Sequence, residues 1–367
     1  MLKPPKCNVP YCRPLVPPRD SLQEKLDEVL SSGQFTNNGS QKSELEALLS
    51  TFLGVEHLSL VSNGTLALQL AVQVLGLKDE VITTPFTFAA TAHSLLWNGV
   101  TPVFCDVDPV TLNLDASQIE ALISEKTTGI LPVHCFGIPC DVDTIQSIAD
   151  QFGLSVLYDA AHCFGVELRG SPIGTFGDAS VFSTHATKIF HTLEGGIVCC
   201  ATREIKEKID RASNFGFLQD GDISSLGTNA KLNEVQAGFG LCTLPMVSEE
   251  IARREKVVAV YREQLDLPEI LLPPVPEDVS LNYYNFTIRV RAEYRDPLLQ
   301  YLLNEGITAR RYFYPLVNEM NLYKGRFVAA TPVAKRVAQE VLSLPLYGLM
   351  WKEVECVCRA VRDFFGG

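Results

Sequence analysis

The sequence predicts an α/β protein in which a largely parallel sheet is covered by helices and followed by a smaller α+β unit. From about Glu56 to Ala201, seven short apolar runs alternate with helix-length amphipathic segments. The runs are "HLSLV", "EVITT", "TPVFCDV", "GILPV", "SVLYD", "ASVFS" and "GIVCCA". Between them, "LDASQIEALISE" and "CDVDTIQSIADQF" carry an Asp ahead of apolar residues at helical spacing, the pattern of capped helices. After Pro245 the texture changes: "VSEEIARREKVVAVYREQL" reads as one long charged helix, and the turn "LPPVPED" follows it. These signals divide the chain into a large α/β domain, residues 1–247 with the N-terminal arm included, and a small α+β domain, residues 248–367.

Within the second part, "NYYNFTIRVR" alternates like a half-exposed strand. "DPLLQYLLNEG" reads as a helix with Asp296 as cap, Pro297 in the first turn and Gly306 as stop. "ITARRYFYPL" then reads as another strand and "WKEVECVCRAVRDFF" as a final amphipathic helix. The chain shows no internal repeat and no low-complexity segment.

Composition narrows the function classes. With 46% hydrophobic and 20% charged residues, the 367-residue chain has the make-up of a soluble globular protein. A net charge of -12 gives no global attraction to nucleic acid or anionic membrane, so neither is an expected partner and a phosphate-bearing ligand must be captured locally. Many of the eleven cysteines lie in apolar runs such as "VFCDV" and "GIVCC", where a thiol packs as a small hydrophobe. That usage suits a reducing cytoplasm. The opening "MLKPPKCNVPYCRPLVPP" has too many prolines for a signal peptide, and no later apolar run is long enough to span a bilayer.

Three stretches can carry chemistry. In "LSLVSNGTLALQLAV" a strand runs into Ser62, Asn63, Gly64 and Thr65 before a helix begins, leaving free amides and a positive helix end for an anion. Taken alone, it reads more readily as a capped helix with a glycine turn. In "SVLYDAAHCFG", Asp159 closes an apolar strand at the end where α/β folds place ligands, beside His162 and Cys163. A carboxylate buried there is costly unless it meets a cation, and capping the next segment is the alternative use. In "STHATKIFHTLEGG", Lys188 sits among small, hydroxylated and aromatic residues with no acidic partner three or four positions away. One cofactor needs a phosphate cradle, an acid and a lysine together: pyridoxal 5'-phosphate, whose aldehyde takes a lysine Schiff base and whose ring nitrogen takes an acidic partner. His134, Cys135, Cys140, His162 and Cys163 lack paired metal-ligand spacing, so no metal is expected.

With these motifs in place, the sequence resembles the DegT-type sugar-nucleotide aminotransferases, which have the aspartate aminotransferase fold (fold type I). The likeness runs from "QFTNNGSQKSELEALLSTFLGV" through "SNGTLALQLAV", "TTPFTFAATAHSLLWNGVTPVFCDVD", "YDAAHCFG" and "FSTHATKIFHTLEGG" to "GTNAKLNEVQAG". It looks closest to the branch that aminates dTDP-4-keto-6-deoxyglucose at C4, with "PVHCFGIPCDV" and "ARRYFYPL" adding to that likeness.

The resemblance implies that Lys188 forms the Schiff base and shuttles protons, and that Asp159 keeps the pyridine nitrogen protonated. It implies that Gly64, Thr65 and Ser183 hold the phosphate, that Phe88 in "FTFAAT" stacks on the ring, and that His162 lies near the ring oxygen where many members have glutamine. Asn229 matches a residue that reaches the neighbouring subunit's cofactor, which implies a homodimer with active sites at the subunit interface. Thr184 and Ser40 depart from the commoner aromatic and proline. The implied reaction moves the amino group of L-glutamate, by way of pyridoxamine phosphate, to a nucleotide-linked keto sugar. Aminotransfer to a 3-keto-6-deoxyhexose or to GDP-4-keto-6-deoxymannose is the alternative, and a non-catalytic sugar-nucleotide-binding regulator is a further one. Dehydratase relatives carry histidine at the Schiff-base position, which Lys188 argues against. Arginine suits a diphosphate and aromatic faces suit a base or sugar, so Arg310, Arg311, Tyr312 and Tyr314 are candidate substrate contacts, with a basic edge strand as the alternative.

Overall fold

The computed structural model describes residues 7–327 and 329–366. The first six residues of the proline-rich opening, Val328 and Gly367 lie outside them, and so do the outermost ends of the two expected domains. All seven predicted runs join one seven-stranded sheet, as β1 (Leu58–Val61), β2 (Glu80–Thr83), β3 (Thr101–Phe104), β4 (Thr127–Leu131), β5 (Ser155–Asp159), β8 (Ala179–Ser183) and β9 (Gly196–Cys200). The order across the sheet is β1-β9-β8-β5-β4-β2-β3. Pairing is parallel throughout except at β9, which runs antiparallel to both its neighbours. Helices cover both faces, so the strands are buried on both sides and read as continuous apolar runs rather than alternating ones. Between β5 and β8, the short β6 (Glu167–Leu168) and β7 (Ser171–Pro172) form a hairpin.

The helices of this half are α1 (Arg19–Ser32), α2 (Ser40–Leu53), α3 (Gly64–Val74), α4 (Ala89–Trp97), α5 (Val142–Phe152), α6 (Arg203–Ala212) and α7 (Glu234–Thr243). Side chains cap four of them: Asn63 on α3, Asp141 on α5, Thr202 on α6 and Asn233 on α7. Helix α2 begins after Gly39, which has no side chain to cap with. The buried Glu234 does so from α7, accepting the amides of Gly39, Gln41 and Lys42 at 2.9, 2.9 and 3.3 Å. An acid at that end meets both the unpaired amides and the positive helix end, an effect of about 0.5–2 kcal/mol.

The C-terminal part is built on α8 (Val247–Gln264), β10 (Ile270–Leu271), β11 (Val279–Ser280), β12 (Phe286–Val290), α9 (Ala292–Asn304), α10 (Pro332–Glu340), β13 (Val341–Leu344) and α11 (Trp351–Gly366). β12 is the middle strand of a sheet with β10 and β13, and Tyr261, Ile288, Leu298, Leu302 and Val357 fill its core. Val9 of the N-terminal arm belongs to the same core and bridges to Ile307. Two links tie this part to the large sheet: β11 pairs with β6, and Asp106, just beyond β3, accepts the Val333 and Ala334 amides at the start of α10 at 2.8 and 2.7 Å.

Four sequence expectations are corrected. "LDASQIEALISE" is not a helix but two single 3-10 turns; Asp115 does cap, yet its carboxylate is spent on Ser117 and Gln118 close by, and the backbone is extended again at Ile123. α9 starts at Ala292, so Asp296 is an interior residue paired with Arg295 and Arg311 rather than a cap, and Pro297 lies inside the helix. "ITARRYFYPL" makes single bridges at Ile307 and Arg310 and then turns, with Tyr312 and Phe313 lining a cavity instead of continuing a ladder. In "NYYNFTIRVR" only Phe286–Val290 is strand. The cysteines also divide: Cys7 and Cys356 are joined as a disulfide, whereas eight of the rest are buried free thiols and Cys12 is half-buried. Among the described residues no helix is long and apolar enough to cross a membrane.

Burial leaves a pH signature. His134 is fully buried, its ring stacks on Tyr158 at 4.6 Å, and its Nδ1 accepts the Cys140 amide at 2.9 Å. Burial pulls its pKa from 6.5 down to about 3. A depressed pKa gives stability that is present above 6.5 and is lost as pH falls towards 3. Chemical denaturation from pH 7 to pH 5 should therefore show a fall in stability, of which about 2 kcal/mol disappears in His134→Gln, whose amide oxygen can still accept from Cys140.

Candidate active site

The carboxyl ends of β1, β5 and β8 meet on one edge of the sheet, and the antiparallel β9 starts there. A cavity of about 330 Å³ opens on this edge. Asp159, the last residue of β5, is 5% exposed and forms part of its wall. Its Oδ2 accepts the Thr91 hydroxyl at 2.7 Å and its Oδ1 accepts the Ala161 amide at 3.1 Å. Thr91, in the first turn of α4, is bonded in turn to Thr87 at 2.7 Å. Burial pushes the Asp159 carboxyl above the usual range, and the Thr91 hydroxyl, the Ala161 amide and the charge of Lys188 only oppose that rise. The arrangement favours a cationic partner facing Asp159.

Lys188 leaves the loop after β8 and donates from Nζ to the Tyr284 hydroxyl at 3.2 Å, with Nζ 4.7 Å from the centre of that ring. His162 lies between aromatic faces, 4.3 Å from Tyr284 and about parallel to Phe136 and Phe313, with one edge open to the cavity. Desolvation first, and the Lys188 charge second, hold its pKa well below 6.5. Its Nδ1 accepts the Phe136 amide at 3.2 Å, so the neutral ring carries its proton on Nε2 and is a donor there.

At the opposite side of the cavity, α3 begins. Asn63 Oδ1 takes the Leu66 amide at 2.8 Å, and the amides of Gly64 and Thr65 precede the first helical hydrogen bond. Close approach explains the glycines. A Cβ on Gly64 would lie 3.1 Å from the Ser183 Cβ, and one on Gly196 would lie 2.6 Å from the Asn63 carbonyl oxygen. The space that a side chain would fill at Gly64 is thus lined by a helix N-terminus and the Ser183 hydroxyl, a cradle for a phosphate.

Gly64, Thr65, Phe88, Asp159, His162, Ser183, Lys188 and Tyr312 all line this cavity. Phe88 is largely exposed at its mouth. Asn229 lies elsewhere, exposed and bridged to Asn214. The Arg310 guanidinium sits 5.7 Å from the Tyr11 ring, while Arg311 pairs with Asp296 at 3.3 Å and covers Tyr314, so these three side chains are outside the lining. Sequence reasoning missed Thr91 and Tyr284. Thr91 stands in the first turn of α4, at the end of the "FTFAAT" motif, and Tyr284 was masked by an alternation that reads as strand. A larger cavity of about 530 Å³ lies behind Phe136, between the loop at Pro109 and α8, and holds neither the lysine nor the acid.

A lysine, a buried acid short of a cation and a phosphate cradle around one cavity of a fold-type-I sheet define a pyridoxal-phosphate-dependent transaminase. The chain belongs to the DegT/DnrJ/EryC1/StrS aminotransferase family, whose sequence model matches residues 19–362. It is 43% identical over 358 residues to a dTDP-4-amino-4,6-dideoxy-D-glucose transaminase of Shigella dysenteriae, covering 96% of this chain and 97% of that one. Among solved structures it is similar to DesI, crystallised in the presence of its TDP-sugar product, with a TM-score of 0.94 and 37% identity over 98% of this chain and 94% of that one. It is also similar to the ntda protein of Bacillus subtilis with bound cofactor pmp, with a TM-score of 0.88 and 27% identity over 95% of this chain and 82% of that one.

The raised pKa of Asp159 gives a test that needs no turnover. A carboxyl raised above its unfolded value is stabilised in the fold at low pH, and that stability is lost as pH rises through the folded value. In the cofactor-free full chain, Asp159→Asn should melt no lower than wild type at pH 7, and the difference should shift in favour of wild type as the pH is lowered towards 4.

Proposed function

We propose that this transaminase moves the amino group of L-glutamate to C4 of dTDP-4-keto-6-deoxy-D-glucose, giving dTDP-4-amino-4,6-dideoxy-D-glucose. The observation that carries the reading is the convergence of Lys188, Asp159 and the Gly64 cradle on one cavity, in a chain similar along nearly its whole length to a transaminase named for that product. The cofactor supplies, when bound, an electrophilic carbon and an electron sink. The chain's residues do the rest. Gly64, Thr65 and Ser183 would hold the phosphate, Phe88 would cover the ring, and Nε2 of His162 would be the donor for the ring oxygen. Asp159, whose burial calls for a cation, would hold a proton on the ring nitrogen. The amine of Lys188 would anchor the cofactor and, when free, would serve as the base that holds the proton taken from substrate carbon.

The active form is a homodimer in this reading. The segment that leads to Asn229 exposes Phe215, Phe217, Ile223 and Leu226, a run of apolar side chains suited to burial against a second copy. Asn229 would reach the partner's cofactor phosphate from that position, and Tyr312, in the cavity lining, would meet the sugar nucleotide.

Purified protein with added pyridoxal phosphate should show a visible absorbance band that Lys188→Ala abolishes. Asp159→Asn should keep a band but lower kcat about 10- to 100-fold, the scale of one charge-assisted hydrogen bond. Among dTDP-, UDP- and GDP-linked 3-keto and 4-keto sugars offered with glutamate, the dTDP-linked 4-keto-6-deoxyglucose should be aminated fastest. Amination of 3-keto sugars alone, or of GDP-linked sugars alone, would overturn the assignment.

A further inference from the structure

We infer that Tyr284 is a positioning residue, holding the Lys188 amine at the reacting carbon during the part of the cycle in which that amine is free. The inference rests on the transaminase reading and adds a residue to it. A lysine amine ends a flexible four-carbon stem, so a base made from it needs a fixed partner. In this cavity the partner is the Tyr284 hydroxyl, 3.2 Å from Nζ. Lys188 donates and the phenol accepts, which leaves the lone pair of the neutral amine free to take a proton from substrate carbon. The proton goes to Lys188 and returns from it; Tyr284 neither gains nor loses one.

The phenol is itself held from three directions. Its ring stacks on His162 at 4.3 Å, with 18° between the planes. Its backbone amide donates to Asn282 Oδ1 at 2.9 Å, and the buried Asn282 uses its Nδ2 to grip the carbonyls of His162 and Phe164 at 2.9 and 3.0 Å. From the far side, the buried Arg254 reaches the Tyr283 and Tyr284 carbonyls at 3.5 and 3.4 Å and is fixed by Glu250 at 2.7 Å. Asn282 to Asn285 are thereby drawn out of strand geometry, and β12 begins only at Phe286. Tyr284 therefore brings a rigid contact from the C-terminal part of the chain to a lysine and a histidine that belong to the large sheet.

The test is Tyr284→Phe in the full-length protein, which keeps the ring on His162 and removes only the hydroxyl. With L-glutamate as donor, kcat should fall about threefold to tenfold, the scale of one net hydrogen bond, with KM unchanged. The isotope effect with α-deuterated glutamate should rise, because proton removal becomes slower. A second measurement needs no turnover: on mixing cofactor-stripped protein with pyridoxal phosphate, the visible band should form more slowly in the variant by a similar factor. Affinity for pyridoxine phosphate, which binds but has no aldehyde, should not change. A packing role would instead lower the melting temperature and weaken pyridoxine phosphate binding, and that result overturns the proposal. Equal band formation and equal isotope effects in variant and wild type overturn it too, while leaving the transaminase reading intact. A wild type that forms no band overturns both.

Discussion

A carboxylate at the inner end of a central strand is the constraint around which the site is arranged. Asp159 ends β5, between β4 and β8, where water is excluded on both faces of the sheet. One hydroxyl and one amide offset part of its desolvation, and the remainder calls for positive charge in the cavity. The neighbouring strands bring what is needed. Lys188 follows β8, and the phosphate turn follows β1. β1 reaches the site because β9 runs against its neighbours: starting at the same edge, it presses Gly196 against Asn63 and holds the turn beside Ser183.

Acids elsewhere in the chain meet burial differently. Glu234 and Asp106 are also enclosed, but each is surrounded by the amides of a helix start, which satisfy the charge without a cation. These two acids also hold together elements that are distant in sequence, α2 to α7 and β3 to α10. The contrast explains why one buried acid is available for chemistry and two are structural. What distinguishes them is the supply of backbone donors, not the depth of burial.

Much of this was legible in the sequence. Seven apolar runs gave seven strands, because strands buried on both faces need apolar residues at every position. Lys188, Asp159 and the Gly64 turn could be recognised since each follows such a run at the end where ligands bind. Legibility failed where one residue pattern serves more than one kind of contact. Asp115 and Asp296 both resemble helix caps in isolation, yet one spends its carboxylate on a tight turn and the other pairs with two arginines. Tyr284 sits in an alternating stretch whose strand character is overridden by the bonds of Asn282 to the His162 and Phe164 carbonyls and by Arg254, contacts too remote in sequence to suggest it. Arg311 lies over the Tyr314 ring and pairs with Asp296, a preference that composition does not reveal.

Val9 pairs with Ile307 and lies in the core formed by α8, α9 and α11. The arm thus precedes its docking surface by some three hundred residues, a contact of high sequence separation, while β1 to β9 of the large sheet lie between them. Segments that close the lysine pocket, Asn282 to Asn285 and Tyr312, also follow β9. A chain made only as far as β9 thus holds the strands of the large sheet but lacks Tyr284 and Tyr312, the walls of the cavity that come from beyond it.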